Sequence, residues 1–192
     1  MAGFIIINGM PGSGKSTLAK QLAQDLHIGR VSKDDIKELL GDALGLPGNE
    51  ADNRRYGSAA SDALLAIVNA LADSDGWYII ESAFWADIAS AQFTAIHERH
   101  KGASFIEIHV TCDHTTLTER FNARITTGAR HAVHYDKLYA GDNGAVLTHR
   151  YRPLEVTGME CIPYDTTTTD AAAYKRLLDA ITKWRDTNET TN

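Results

Sequence analysis

The residues Gly9–Ser16 read Gly-Met-Pro-Gly-Ser-Gly-Lys-Ser and decide the fold of this chain. They follow the apolar run Phe4–Ile7 and precede the helix-like stretch Thr17–Ala23, which predicts a buried strand before the glycines and a helix after them. Glycines let backbone amides curl around an anion without Cβ clashes, and the helix N-terminus adds partial positive charge. A glycine-rich turn without a ligand is the alternative, but each fixed position of the pattern G-x-x-x-x-G-K-S/T is filled. The stretch therefore predicts a loop that binds phosphate groups.

Individual residues of this loop have predicted roles in binding a nucleoside triphosphate. Lys15 can reach the β- and γ-phosphates, and the Ser16 hydroxyl can hold Mg²⁺. We therefore expect a nucleoside triphosphate and Mg²⁺ to bind at this loop; the resemblance described below implies that the nucleotide is ATP. The loop residues predicted to bind ATP are Gly9, Met10, Pro11, Gly12, Ser13, Gly14, Lys15, Ser16 and Thr17.

Length and composition indicate one domain with a substantial core. The chain has 192 residues, of which 43% are hydrophobic. No apolar run approaches the roughly 20 residues that span a membrane, and the N-terminus lacks the segments of a signal peptide. The net charge of −6 argues against non-specific binding of nucleic acid. We therefore expect one cytoplasmic domain, residues 1–192, without membrane or nucleic-acid partners, and with Cys112 and Cys161 as buried thiols.

Strand-like and helix-like segments alternate along the chain. The strand-like runs are Phe4–Asn8, Gly29–Ser32, Trp77–Glu81, Ala103–Thr111 and Glu160–Tyr164. The helical patterns are Lys15–Leu26, Lys33–Leu40, Asn53–Ala72, Asp87–Lys101, Thr115–Arg124 and Ala171–Arg185. This alternation predicts the α/β, three-layer P-loop NTPase fold, with a five-stranded parallel sheet and helices on both faces. Residues 43–50 are predicted as a loop, and residues 186–192 as a frayed polar tail.

Several chemically capable side chains are predicted to meet at one edge of this sheet. Ligands of such folds bind beyond the carboxyl ends of the strands, where residues 9–14 also lie. The apolar strand Trp77–Glu81 ends in an acid, which predicts a carboxylate that holds Mg²⁺ directly or through water. A surface strand end is the alternative interpretation of Glu81.

Asp34 and Asp35 follow the second predicted strand and begin a helix. Acids at a helix start are favourable caps, so a capping role alone can explain one of the two aspartates. The other would face the γ-phosphate and accept a proton from a substrate hydroxyl. The spacing alone does not assign the two roles.

Three arginines form the predicted source of positive charge on the transferred phosphoryl group. Arg120 and Arg124 lie four residues apart on one predicted helix face, and Arg130 follows in a segment rich in Gly, Arg and His. A solvated basic face paired with Glu119 is the alternative. Residues 124–148 lack periodicity, which is typical of a mobile lid, and we expect this lid to close over ATP.

Other residues near this edge are predicted to contact the acceptor. Phe84 and Trp85 come just after Glu81 and could form the wall of an acceptor pocket, although packing aromatics are the simpler interpretation. His131 and His134 lie in the lid and are expected at the substrate. With Asp136 they could instead form a metal site, but no fourth ligand is evident.

Nearly the whole chain resembles the P-loop kinases of the group that includes chloramphenicol phosphotransferase, the zeta toxins and the kinase domain of bacteriophage polynucleotide kinase. Besides the phosphate loop, the resemblance rests on four further stretches. They are Ser-Lys-Asp-Asp-Ile-Lys-Glu-Leu from Ser32, Ile-Ile-Glu-Ser-Ala-Phe from Ile79, Arg-x-x-x-Arg from Arg120 and Tyr-Asp-Thr from Tyr164.

The resemblance implies roles for residues at matching positions. It implies that Asp34 is the general base, that Arg120 lies against the adenine and that Arg124 contacts phosphates. It also implies that Thr166 lies near the base and binds ATP. Glu81 stands where many members have Asp. Residues 130–136 resemble an Arg-His-Pro-Gly-His-x-Asp lid segment, with Ala-Val in place of Pro-Gly.

The combined expectation is a kinase that uses ATP and Mg²⁺ to phosphorylate a hydroxyl group of a small molecule. The predicted catalytic residues are Lys15, Asp34, Arg124 and Arg130, and the predicted substrate residues are Asp34, Asp35, Phe84, Trp85, His131 and His134. The enzymatic alternative is a nucleoside, nucleotide or 5′-hydroxyl polynucleotide kinase, which would require a basic groove. A nucleotide-gated switch is the alternative of another class, but the guanine-selecting Asn-Lys-x-Asp pattern is absent.

Overall fold

Five parallel strands form one sheet in the computed structural model, which describes residues 2–127, 131–134, 150–168 and 170–190. The strands are β1 (Ala2–Gly9), β2 (Gly29–Ser32), β3 (Gly76–Glu81), β4 (Ser104–Thr111) and β5 (Glu160–Asp165). Their order across the sheet is β2-β3-β1-β4-β5. All five predicted strands are therefore confirmed, and the sheet is the predicted one.

Helices cover both faces of the sheet. They are α1 (Lys15–Leu26), α2 (Lys33–Leu44), α3 (Glu50–Leu71), α4 (Ala86–Arg99), α5 (His114–Thr127) and α6 (Ala171–Thr190), with a short 3₁₀ turn at Ala132–His134. Among these described residues, no helix is long and apolar enough to cross a membrane.

Two helices end four or five residues later than the sequence predicts, and smaller shifts occur at other boundaries. The predicted loop 43–50 is shortened to residues 45–49, because α2 and α3 extend into it. Helix α2 continues to Leu44, because the residue that ends it is Gly45, whose φ of 91° lies in the left-handed region. Helix α6 continues to Thr190, so the prediction of a frayed tail from residue 186 was wrong as far as residue 190. Two side chains hold its last turns, since the Trp77 indole donates to Glu189 and Ser104 donates to Asn188.

The core consists of two apolar clusters, one on each face of the sheet. Alternate residues of β1 point to opposite faces, so Phe4 and Ile6 belong to one cluster and Ile5 and Ile7 to the other. Helices α3 and α4 cover the first face, and α1 and α6 cover the second. At the amino end of the sheet, the rings of Trp77 and Trp184 meet edge to face with centroids 5.3 Å apart.

The carboxyl ends of the strands meet at one edge, as predicted. In the strand register Ser32 pairs with Glu81, and Thr111 pairs with Asp165. Strand β1 lies between β3 and β4 and ends at Gly9 beside Val110. The loop that follows β1 therefore leaves from the centre of this edge.

Candidate functional site

The loop between β1 and α1 is a tight cradle that requires glycine. Gly9 has a φ of 142°, and a Cβ there would lie 2.0 Å from the carbonyl oxygen of Val110. Gly14, which precedes α1, has a φ of 91°. These backbone angles are rarely adopted by L-residues with a side chain. The loop conformation therefore explains the glycines at both ends of the motif.

Polar groups of the loop are folded inward. The Lys15 side chain is only 7% exposed, and its Nζ donates to the carbonyl oxygen of Met10 at 2.8 Å. The Ser13 residue is fully buried, and its Oγ has no hydrogen-bond partner among the described residues. A buried hydroxyl of this kind normally has a partner. Together with the ammonium and the N-terminus of α1, this arrangement fits an anion such as a nucleotide phosphate.

A continuous chain of polar contacts joins the loop to the start of α2. Ser16 Oγ donates to Glu81 Oε1 at 3.0 Å, and Arg30 donates to Glu81 Oε2 at 3.2 Å. The same guanidinium donates to Asp35 Oδ2 at 2.5 Å. Glu81 is nearly fully buried, so this pairing offsets the cost of desolvating its carboxylate. The arrangement sets the two predicted Mg²⁺ residues in contact, and Arg30 joins Asp35 of α2 to Glu81.

Asp34 and Asp35 lie in the first turn of α2, where their charges interact favourably with the helix dipole. The residue that precedes the helix is Ser32, so neither aspartate occupies the N-cap position. Asp35 is exposed and paired with Arg30, whereas Asp34 is half-buried. The two acids thus have different surroundings, although the spacing had left them equivalent.

Arg120 and Thr166 lie against the opposite side of the loop. Two nitrogens of the Arg120 guanidinium donate to Thr166, one to Oγ1 at 2.9 Å and one to the carbonyl oxygen at 2.7 Å. Thr166 Oγ1 in turn donates to the Ser13 carbonyl oxygen at 2.6 Å. Helix α5 and the turn after β5 are therefore tied to the phosphate loop, and the ATP-binding roles of Arg120 and Thr166 stay predictions.

The two cysteines are free thiols and are half-buried rather than fully buried. Burial raises the pKa of the Cys112 thiol, and the nearby Arg120 guanidinium opposes that rise in part. Burial, followed by the neighbouring Glu107 carboxylate, raises the pKa of Cys161 to about 12. Both thiols are therefore neutral at physiological pH, and Cys112 adds no negative charge beside Arg120.

The two aromatic residues after Glu81 have different environments. Phe84 is 8% exposed and packs edge to face on Phe93 in the core. Trp85 is 37% exposed, and the Arg150 guanidinium lies 4.4 Å from the centre of one of its rings. Of this pair, only Trp85 presents substantial surface for an acceptor.

The two histidines of the predicted lid contact α2. His134 Nε2 lies 2.8 Å from Glu38 Oε1, and His131 Nε2 lies 3.1 Å from Asp42 Oδ1. Between them, Val133 is fully buried against Gly41. The imidazoles thus pair with helix carboxylates, an arrangement that the sequence did not predict. The described residues contain no group of three side chains able to hold a metal, and Asp136 of the alternative metal site lies outside them.

This packing predicts that alanine stabilises the protein at one helical glycine and not at another. A Cβ at Gly41 would lie 2.9 Å from Val133 Cγ2, whereas a Cβ at Gly57 of α3 would meet nothing within 4 Å. We expect Gly57→Ala to raise the free energy of unfolding by about 0.5–1 kcal/mol, because alanine favours the helix. We expect Gly41→Ala to yield no such gain. Denaturant unfolding measures both, and equal gains would contradict the packing of residues 131–134 on α2.

Part of the predicted site lies outside the described residues. Residues 128–130, which include Arg130, and residues 135–148 of the predicted lid are not described, and neither is the side chain of Arg124. The lid and the roles of these arginines therefore stay predictions.

Three residues with marked contacts were not identified from the sequence: Asn8 and Arg30 near this edge, and Glu107 behind it in the middle of β4. Two of them have features that could have been noticed in the sequence. Asn8 directly precedes the motif, and Glu107 is an acid within an apolar strand.

A family model described as an AAA domain matches residues 5–138. The chain belongs to this AAA domain family. The match covers the phosphate loop, the acids of α2, Glu81 and Arg120, so the AAA domain contains most of the site described above. A search of curated proteins finds no match.

Solved structures share the fold of this AAA domain protein. A "putative kinase" from Chloroflexus aurantiacus is 28% identical, with 97% of this chain and 98% of that chain covered and a TM-score of 0.81. Kti12 from Chaetomium thermophilum in complex with ADP-AlF3 is 19% identical, with 94% and 97% covered and a TM-score of 0.62. The APS kinase CysC of Mycobacterium tuberculosis in complex with AMPPNP and APS is 18% identical, with 94% and 97% covered and a TM-score of 0.57.

These likenesses confirm the wider part of the sequence prediction. The protein has the α/β P-loop kinase-like fold, with a five-stranded parallel sheet and helices on both sides. Membership of the narrower group that includes chloramphenicol phosphotransferase stays a prediction.

Proposed function

We propose that this protein is a kinase that uses ATP and Mg²⁺ to phosphorylate a hydroxyl group of a small molecule. The observation that carries the proposal is the polar chain from Ser16 through Glu81 and Arg30 to Asp35. It ties the first turn of α2, which also carries the half-buried Asp34, to the two residues that would hold Mg²⁺. A phosphate cradle beside a carboxylate that can take a proton is what transfer to an alcohol needs.

The loop and its neighbours would bind the nucleotide. Lys15 and the backbone amides of the loop would contact the phosphates, and Arg120 with Thr166 would lie toward the adenine. Ser16 and Glu81 offer hydroxyl and carboxylate oxygens, which suit Mg²⁺, and they would hold that ion directly or through water. When bound, Mg²⁺ would neutralise charge on the β- and γ-phosphates.

Asp34 would act on the acceptor. Its carboxylate would accept the proton of the attacking hydroxyl while the hydroxyl oxygen bonds to the γ-phosphorus. The bond between that phosphorus and the β–γ bridging oxygen breaks, and ADP leaves. Arg124 and Arg130 would supply further positive charge to the transferred group, and Trp85 would line the acceptor side.

The proposal is tested by incubating the protein with ATP, Mg²⁺ and a panel of acceptors. The panel contains sugars, polyols, amino alcohols and a 5′-hydroxyl oligonucleotide, and mass spectrometry detects the phosphorylated product. We expect at least one small molecule to be phosphorylated by the wild-type protein and not by Lys15→Ala. Product only on the oligonucleotide would support the polynucleotide kinase alternative, and no product at all would contradict the proposal.

Arg120→Ala is expected to weaken ATP binding more than it slows turnover at saturating ATP. The guanidinium is fixed on Thr166 beside the loop, so it would contact the nucleotide equally in the ground state and the transition state. We expect KM for ATP to rise by roughly tenfold, the effect of losing about 1.4 kcal/mol. Titration with a fluorescent ATP analogue and steady-state kinetics measure the two effects. A fall in kcat with unchanged nucleotide affinity would contradict this role.

A further inference from the structure

A buried amide lies directly behind the phosphate loop. Asn8 is fully buried, next to the last residue of β1. Its Oδ1 accepts hydrogen bonds from the backbone N–H of Gly9 at 2.7 Å and of Phe84 at 3.0 Å. One side chain therefore holds both the first residue of the loop and the segment that follows Glu81.

The same side chain continues to a buried carboxylate. Asn8 Nδ2 donates to Glu107 Oε1 at 2.9 Å, and Glu107 Oε2 accepts from the backbone N–H of Leu154 at 2.8 Å. Glu107 is fully buried in the middle of β4. The pair thus connects three backbone segments. They are the start of the phosphate loop, the segment after Glu81, and the segment that contains Leu154.

Stability alone does not explain a carboxylate in this position. Burying an acid costs free energy even when it is hydrogen-bonded, and apolar residues of similar volume would pack at lower cost. A buried polar network in which every group is hydrogen-bonded holds the groups that it joins in one fixed arrangement. Here two of the three joined segments lie at the edge of the sheet where the transfer chemistry is proposed.

We propose that Asn8 and Glu107 are positioning residues for phosphoryl transfer, which hold the phosphate loop in register with the acceptor-side segment 82–84. The inference rests on the proposed function. Neither side chain would touch the reacting atoms, and both act through the backbone of Gly9 and Phe84. A misplacement of about 1 Å between donor and acceptor groups is enough to slow a reaction roughly a hundredfold.

The pair permits a reciprocal exchange that tests this role. In Asn8→Asp, two carboxylates face each other. In Glu107→Gln, an NH₂ group must face either the Asn8 NH₂ or the Leu154 N–H. The double variant restores these four hydrogen bonds and loses only the long contact, 3.5 Å, from Asn8 Nδ2 to the carbonyl oxygen of Arg152. Its new carboxylate at position 8 accepts from Gly9, from Phe84 and from the new amide NH₂ at position 107, while the oxygen of that amide accepts from Leu154. The net charge of the double variant equals that of the wild-type protein.

The measurements are kcat and KM for the acceptor found in the panel, the affinity for an ATP analogue, and the unfolding temperature of each variant. We expect each single variant to lose roughly tenfold to a hundredfold in kcat at temperatures where it is folded. We expect the double variant to recover most of the loss. Nucleotide affinity should change less than kcat in all three. If Asn8→Asp fails to fold, Glu107→Gln and the double variant still make the comparison.

Ser104→Ala is the matched control. It removes a polar contact at the amino end of β4, the strand that contains Glu107, where Ser104 Oγ donates to Asn188. Its kcat should equal that of the wild-type protein. Single variants that are folded and keep the wild-type kcat would overturn the inference, and so would a double variant that stays as slow as the single variants. A wild-type protein that forms no product would overturn the proposed function and the inference together.

Discussion

Replacing Lys15 with alanine is expected to lower kcat by roughly three orders of magnitude or more, the effect of removing a cation from the transferred phosphoryl group. The ammonium is folded over the loop and lies on the Met10 carbonyl oxygen, at the centre of the phosphate cradle. Removing it takes positive charge from the γ-phosphate in the transition state. The fold should persist, because a hydrogen bond from a charged group, such as that from Lys15 to Met10, contributes only about 1.5–3 kcal/mol to the free energy of unfolding.

The measurement is product formation with the acceptor from the panel, accompanied by thermal unfolding of the variant. Lys20→Ala is the matched control, since Lys20 lies on the same helix and is exposed. It should keep wild-type kinetics. A folded Lys15→Ala protein with turnover close to that of the wild-type protein would contradict the kinase proposal as a whole.

Asp34→Asn is expected to lower kcat by roughly two to four orders of magnitude, the usual contribution of a positioned general base. Asparagine keeps the shape of the side chain but does not accept the proton of the acceptor hydroxyl. Binding of ATP should change little, because the proposed nucleotide contacts are those of the loop and of Arg120. Equilibrium binding of an ATP analogue and steady-state kinetics separate the two effects.

Asp35→Asn is the neighbouring comparison. The Asp35 side chain is 58% exposed and paired with Arg30, and an exposed ion pair contributes at most about 1 kcal/mol. We expect this variant to lose less than roughly tenfold in kcat. If the larger loss appears at Asp35, the assignment of the base to Asp34 is wrong.

The fold could be predicted because its elements are encoded locally. Alternating β1 residues such as Phe4 and Ile5 mark a strand covered on both faces, and a glycine loop followed by a helix fixes the direction of the chain. Repeating this pattern requires parallel strands, whose carboxyl ends must meet. That geometry places Glu81 near Ser16 without any knowledge of their contact.

The contacts between distant side chains could not be predicted in the same way. Asn8 and Glu107 are 99 positions apart, and His134 and Glu38 are 96 positions apart, so no periodicity relates them. In the sequence, Arg30 is a polar residue of a short strand, and only the structure shows that it pairs with Glu81. Such pairs depend on how helices and strands pack against one another, and the local sequence pattern does not determine that packing.

The placement of the three tryptophans gives the chain an intrinsic optical reporter. Trp77 and Trp184 meet at the amino end of the sheet, far along β3 from the phosphate loop, whereas Trp85 stands at the opposite edge beside Arg150. Replacing Trp77 and Trp184 with phenylalanine would leave Trp85 as the only indole fluorophore. Its emission would then follow changes of charge and solvent at the acceptor side, so that ligand binding could be timed without any attached dye.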